Sequence, residues 1–276
     1  MQTRNQRLRF QALFGLVAAA AISSAAPGTD PQLSGATSDS QREAVEGLVR
    51  ESIDEDTRVC DFRFADLKGN GVQELVVSLD FSGRDFCNRV AILSLEGNGY
   101  QKLVWPAWNV RSLEGVLRDL DGDGIPELAV PEPLSDYEGA RCMATWTRIY
   151  RWDGGAYADA SRSFRRVYDQ RREELDDRIR GIEGDPNLPA SEIEESSSCR
   201  YMERDAIERF LGLRANAGFE RAQRWMESVD PALRRKAAIV FGEINDPASQ
   251  GRLRVLAADR DATVAAAARG QMREQR

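Results

Sequence analysis

A ten-residue pattern occurs twice in this chain, and the duplication limits its fold more than any other feature. Asp66-Leu67-Lys68-Gly69-Asn70-Gly71-Val72-Gln73-Glu74-Leu75 returns 53 positions later as Asp119-Leu120-Asp121-Gly122-Asp123-Gly124-Ile125-Pro126-Glu127-Leu128. Self-similarity at a fixed offset means that one supersecondary unit is built more than once. Runs of strand length flank each copy, punctuated by Gly, Asn and Asp. They are VCDFRFADL, VQELVVSLD, NRVAILSLE and YQKLVW around the first, and GVLRDL, IPELAV, ATWTRIYRW and AYADAS around the second. The turn Leu95-Glu96-Gly97-Asn98-Gly99-Tyr100 matches Trp152-Asp153-Gly154-Gly155-Ala156-Tyr157, and Cys87 falls roughly level with Cys142. Each unit therefore reads as strand, acidic loop, strand, long loop and hairpin, four strands in about 50 residues.

Helical spacing takes over on either side. Ser40 and Glu43 read as a capping box, and Ala44, Val45, Leu48, Val49 and Ile53 predict a short amphipathic helix to about Ser52. From Ser161 onward, Phe164, Val167, Tyr168, Leu175, Ile179 and Ile182 share one face of a long helix, ended by the linker Glu183–Pro189. Asp230, Leu233, Ala237 and Phe241 then recur 31 positions later as Asp261, Val264, Ala268 and Met272, with a fainter copy at Met202, Ala206 and Phe210. Leu253 and Leu256 mark a second, shorter helix between copies. Helix pairs that cannot bury their faces alone stack on their neighbours, which gives a short α-solenoid. The expected fold class is α+β. Residues 40–160 form a helix plus two four-stranded antiparallel β repeat units, 161–199 a long helix and linker, and 200–276 the helical repeats.

The N-terminus carries an export pattern. Arg4, Arg7 and Arg9 precede the largely apolar run Phe10–Ile22, and Ser23-Ser24-Ala25 supplies small residues for cleavage, so residues 1–25 read as a signal peptide. Residues 26–39, rich in Pro, Gly, Ser and Thr, are expected to be a disordered linker. No other stretch approaches a membrane span. Losing three arginines takes the net charge from −7 to −10, which excludes nucleic acid as a natural partner. Four cysteines in an exported chain predict two disulfides. Of the three connectivities open to four cysteines, Cys60–Cys87 and Cys142–Cys199 are favoured as sequence neighbours. The chain has no histidine. That removes Ser-His-Asp triads, Cys-His pairs and His-ligated metals, and leaves acid–base chemistry to carboxylates, Lys, Tyr or Cys.

Two resemblances follow from these residues. The Asp119–Glu127 loop and its flanking strands resemble the FG-GAP/VCBS repeat of integrin-type β-propellers, over about residues 58–160 and more closely in the second copy. Two units fall short of the four or more blades of a closed propeller, so a half-propeller or small sandwich is expected. The tail, through DPALRRKAAIVFGEINDP and DRDATVAAAA, is similar to short HEAT-like repeats, with Arg234 where such helices often carry arginine and Ala265 in its place in the last copy.

The second acidic loop has the chemistry of a calcium site. Asp119, Asp121 and Asp123 stand at positions 1, 3 and 5, Gly124 at 6, the Ile125 carbonyl at 7 and Glu127 at 9. Calcium takes six to eight oxygens, and this spacing converges four carboxylates and one carbonyl on a point. In the first loop, Lys68 stands where an acid should be, among Asp66, Asn70 and Glu74. Its ammonium can pair with Asp66 and Glu74, so that loop is expected to be metal-free. Further recognition candidates are Trp105 and Trp108, which either stack on a ligand or pack between sheets, and Asp136, Tyr137 and Glu138 in a long acidic loop.

Together these readings predict a calcium-stabilised binding or scaffolding protein of the bacterial cell envelope, periplasmic or secreted and not an enzyme. Its helices and β-unit loops would face a protein partner, or a glycan. The alternatives are a carboxylate-dependent hydrolase, such as a glycoside hydrolase using Asp136, Glu138 or the loop aspartates, and an inhibitor of a periplasmic enzyme. The oligomeric state is left open.

Overall fold

All eight expected strands form. The computed structural model describes residues 39–81, 86–96, 99–134 and 144–274. The signal peptide and linker, Cys142, and the candidates Asp136, Tyr137 and Glu138 lie outside the described residues. Strands β1 (Arg58–Ala65), β2 (Glu74–Asp80), β3 (Arg89–Glu96) and β4 (Gly99–Pro106) form one four-stranded sheet in that order. Strands β5 (Leu117–Arg118), β6 (Glu127–Pro133), β7 (Thr145–Trp152) and β8 (Tyr157–Asp159) form the other. Both are antiparallel meanders, as a repeated strand–loop–strand–hairpin unit requires. The chain divides into two units: one runs to Glu132 and takes up Arg148–Asp159, the other holds Pro133–Thr147 and everything from Ala160. Leu134 and Ala144 pack into the helical core.

In the first unit, β2 is buried at every position. Helix α1 (Asp39–Ser52) lays Val45, Leu48 and Val49 against one face, with Phe62, Leu75, Val77, Leu79, Ala91 and Leu93. On the other face Val76, Val90 and Ile92 meet Leu113, Val116, Leu117, Leu128 and Val130. A strand covered on both faces has no solvent side to alternate with, hence the apolar Leu75, Val76, Val77 and Leu79, and the one hydroxyl among them, Ser78, donates to the Val110 carbonyl. Helix α1 begins at Asp39, so Ser40 lies inside its first turn and does not cap it as the sequence suggested. The stretch after β4 joins the two sheets. Ala107 N–H donates to Asn88 and Val110 N–H to Cys87, both at 2.9 Å, while Trp108 N–H donates to Pro131 at 2.8 Å. The Asp61 carboxylate accepts Leu113 N–H at 2.7 Å from 52 residues away.

The disulfide Cys60–Cys87 is formed, closing 27 residues with Cα atoms 6.1 Å apart. Cys60 is the extra residue of a β-bulge, for the β1–β2 register slips between Val59 and Asp61. Constraining a loop of that length in the unfolded chain is worth roughly 3–4 kcal/mol in the chain-entropy description.

In the second unit a 3₁₀ turn (Ser161–Phe164) leads into α2 (Arg165–Glu183). Then come α3 (Ala190–Phe210), α4 (Phe219–Met226), α5 (Pro231–Ile244), α6 (Pro247–Leu256) and α7 (Ala262–Glu274). Helix α3 passes straight through position 199, where the sequence suggested a boundary. Its serine run is compatible with helix because Ser197 Oγ donates back to the Ile193 carbonyl at 2.8 Å and Ser198 Oγ accepts from Lys236. Each of the last three helices opens on an aspartate. Asp230 accepts Ala232 N–H at 2.8 Å, Asp246 accepts Ser249 N–H at 2.7 Å and Asp261 accepts Thr263 N–H at 2.9 Å. Pro231 and Pro247 follow at the first helical position, where a missing N–H costs nothing. Helix α5 is the centre, burying Leu233, Ala237, Ala238, Ile239, Val240 and Phe241 among Met202, Trp225, Leu253, Leu256, Val264 and Ala268.

Arg234 on α5 is buried and fully engaged. It makes a two-pronged pair with Asp259 at 2.8 and 3.0 Å and donates to the carbonyls of Ser228 and Val229 at 2.9 and 3.0 Å. It thereby ties the turns before α5 and after α6 to one side chain. Arg234→Ala is expected to cost about 3 kcal/mol in urea unfolding at neutral pH, because the Asp259 carboxylate, 11% exposed, loses its partner. The Arg234 guanidinium holds the Asp259 carboxyl below its usual 3.8. A depressed folded-state value contributes stability above the unfolded one and loses it as pH falls through the folded one. The gap between wild type and variant should therefore be full at pH 7 and shrink steadily below about pH 4.

Candidate metal centre

The two acidic loops fold alike, although the first-position aspartate takes partly different amides in each. In the first, Asp66 accepts Asn70 N–H at 3.1 Å and Gly71 N–H at 2.6 Å. In the second, Asp119 accepts Gly122 N–H at 2.7 Å and Gly124 N–H at 3.0 Å. Asn70 and Asp123 each accept the amide two residues on, from Val72 at 2.9 Å and Ile125 at 2.8 Å. Glu74 and Glu127 each reach back across the loop to an amide at 2.9 Å, that of Leu67 or Leu120. The glycines at positions 4 and 6 of both loops have φ between +65° and +83°, a left-handed conformation that side chains resist. This is why the repeat reads G-N-G and G-D-G.

Each loop also buries its glutamate, Glu74 to 2% exposure and Glu127 to 1%. A buried carboxylate needs a cation, and each has one. Glu74 takes Lys68 from within its own loop, 3.6 Å away. The ammonium is capped by the Trp152 ring, 4.5 Å from its centroid, and the lysine side chain is 9% exposed. Burial pushes the Glu74 carboxyl above its usual value, while Leu67 N–H and Lys68 pull it back. The pairing expected between Lys68 and Glu74 is present, and Asp66 accepts backbone amides, including that of Lys68 itself at 3.3 Å.

Glu127 takes Arg151 from β7. The Arg151 Nε donates to Glu127 Oε1 at 2.9 Å and Nη2 lies 2.7 Å from the same oxygen. Nη2 also donates to Asp121 Oδ2 and lies 3.3 Å from Asp123 Oδ2. That hydrogen bond holds the Asp121 carboxyl below the usual aspartate range. Sequence reasoning missed Arg151, although strand alternation places it on the face of the buried Ile149.

Asp119, Asp121 and Glu127 each offer an oxygen within 4.8 Å of the others, a spacing that can hold a metal ion. Asp123 lies beside them, facing Arg151, and Ile125 follows at the next turn of the loop. All-oxygen donors suit a hard cation such as calcium or magnesium. The loops also touch each other: a Cβ on Gly69 would lie 2.4 Å from Ile125 Cδ1. Of the tryptophan candidates, Trp105 packs against the inter-sheet core and tilts onto Tyr150 at 4.9 Å, and Trp108 faces Phe86 at 4.6 Å. The structure thus places both among protein rings.

The chain matches no family model, no curated protein and no solved structure.

Gly69→Ala and Gly71→Ala separate backbone strain from the contact between the loops. Both impose the left-handed penalty of about 1 kcal/mol, but only at Gly69 does the new methyl meet Ile125. In chemical unfolding, Gly69→Ala is expected to lose more stability than Gly71→Ala, and equal losses would mean that the loops do not support each other.

Proposed function

We propose that this is a calcium-stabilised binding or scaffolding protein of the bacterial cell envelope, with a β unit stiffened by one ion and a helical unit offered to a protein partner. The observation that carries the reading is the convergence of Asp119, Asp121 and Glu127 oxygens to within 4.8 Å on a glycine-turned loop. Four acids in so small a volume repel one another, and a divalent cation relieves more of that repulsion than one guanidinium does. Asp119, Asp121, Asp123 and Glu127, with the Ile125 carbonyl, would hold the ion. Its chemistry there is electrostatic cross-linking of the loop to the start of β6.

Location in an oxidising compartment is supported by the Cys60–Cys87 disulfide and by the signal-like N-terminus. No helix among the described residues is long and apolar enough to cross a membrane. The partner-binding role rests on the helical tail, whose α3, α5 and α7 carry the recurring apolar positions and alternate with the shorter α4 and α6. Repeated helices of this kind present extended surfaces to proteins. The resemblance to HEAT-like and FG-GAP/VCBS repeats points the same way by analogy of fold.

A thermal melt in calcium and in chelator tests the reading, with Asp121→Ala as control. Extracellular calcium modules bind at roughly 0.1–1 mM, and ligand at ~100 times the dissociation constant adds about 2.7 kcal/mol. The expected result is a rise on the order of 5–10 °C in wild type and none in the variant. No rise in wild type would remove the calcium reading.

A further inference from the structure

The two loops differ in how their cation is held. Lys68 is 9% exposed, fixed between Glu74 and the Trp152 ring, and belongs to the loop it neutralises. Arg151 is 33% exposed, comes from a different strand, and reaches Asp121 and Asp123, which are themselves 37% and 45% exposed. One counterion is sealed in, and the other lies at the surface with a way out to water. Arg151 Nη2 contacts Asp121 Oδ2, Asp123 Oδ2 and Glu127 Oε1 together. A calcium ion needs its oxygens at about 2.3–2.6 Å, so an ion on these carboxylates would claim the space that Nη2 fills. Two cations cannot share it.

We infer that Arg151 is an exchangeable counterion that closes the Asp119–Glu127 loop when calcium is scarce and is expelled when calcium binds, setting the concentration at which the site fills. The inference rests on the calcium reading of this loop. The arginine keeps buried Glu127 paired in the empty state, so the fold survives without metal, and calcium must displace it to bind. Lys68 has no such exit, which confines the exchange to the second loop. The site is thus a sensor whose threshold lies above that of the same carboxylates without the arginine.

Calcium titration calorimetry of wild type and Arg151→Met at constant ionic strength, with melts in chelator, tests this. The expected result is a dissociation constant at least tenfold lower in Arg151→Met, with a lower melting temperature in chelator that saturating calcium restores. Binding by the variant alone would also support the exchange, while removing the calcium-stabilised reading of the wild type. Equal affinities, or weaker binding by the variant, would overturn the exchange and leave calcium binding intact. Absence of binding in both would overturn the two together. Should Arg151→Met fail to fold without calcium, Arg151→Lys decides: its shorter reach is expected to raise affinity, and an unchanged constant would overturn the exchange.

Discussion

A buried glutamate at the head of the second strand of each β unit is the constraint on which the acidic loops depend. Glu74 and Glu127 are almost wholly withdrawn from water, and each spends one oxygen on a loop amide at 2.9 Å. That bond draws the loop back over the strand, where the first-position aspartate collects loop amides, those of Asn70 and Gly71 at Asp66 and those of both glycines at Asp119. The remaining charge must be met by a cation, because an unpaired carboxylate inside a protein costs several kcal/mol. Lys68 and Arg151 are two answers to one demand. The first substitutes a lysine for an acid within the loop, and the second recruits an arginine from a neighbouring strand.

The duplication made most of the β architecture legible. Strand lengths, the acidic loops and the hairpins all follow from alternation, apolar runs and glycine placement. Arg151 was not legible, because strand alternation says which face a side chain occupies but not which loop comes to lie against it. The bulge at Cys60 was hidden for a similar reason. A one-residue slip leaves no mark in composition, though the pairing with Cys87 was open to inference from proximity in sequence. Leu134 and Ala144 pack with helices distant in sequence, which no local pattern reports.

In the helical unit the recurring aspartates were visible as part of a 31-residue repeat, and their role as caps follows from elementary helix chemistry. The boundary expected at position 199 falls inside α3, whose serine hydroxyls find partners on the helix itself and on Lys236. Arg234 stood out by resemblance, and its partners turn out to be turns rather than another helix. It joins Asp259 to the carbonyls of Ser228 and Val229, and so fixes the path of the chain into α5 and out of α6. Arg234 and Asp259 thus serve the tail much as the glutamate–cation pairs serve the β loops.

The central claim is that each buried glutamate has one cation, sealed in at Glu74 and exchangeable at Glu127. A crystal structure of the full chain grown in saturating calcium addresses it most directly. The account predicts one ion, bound by Asp119, Asp121, Asp123 and Glu127, with the Arg151 guanidinium turned out to solvent and Lys68 still between Glu74 and Trp152. An Arg151 that remains across the carboxylates under those conditions, or an ion in the first loop, would contradict it.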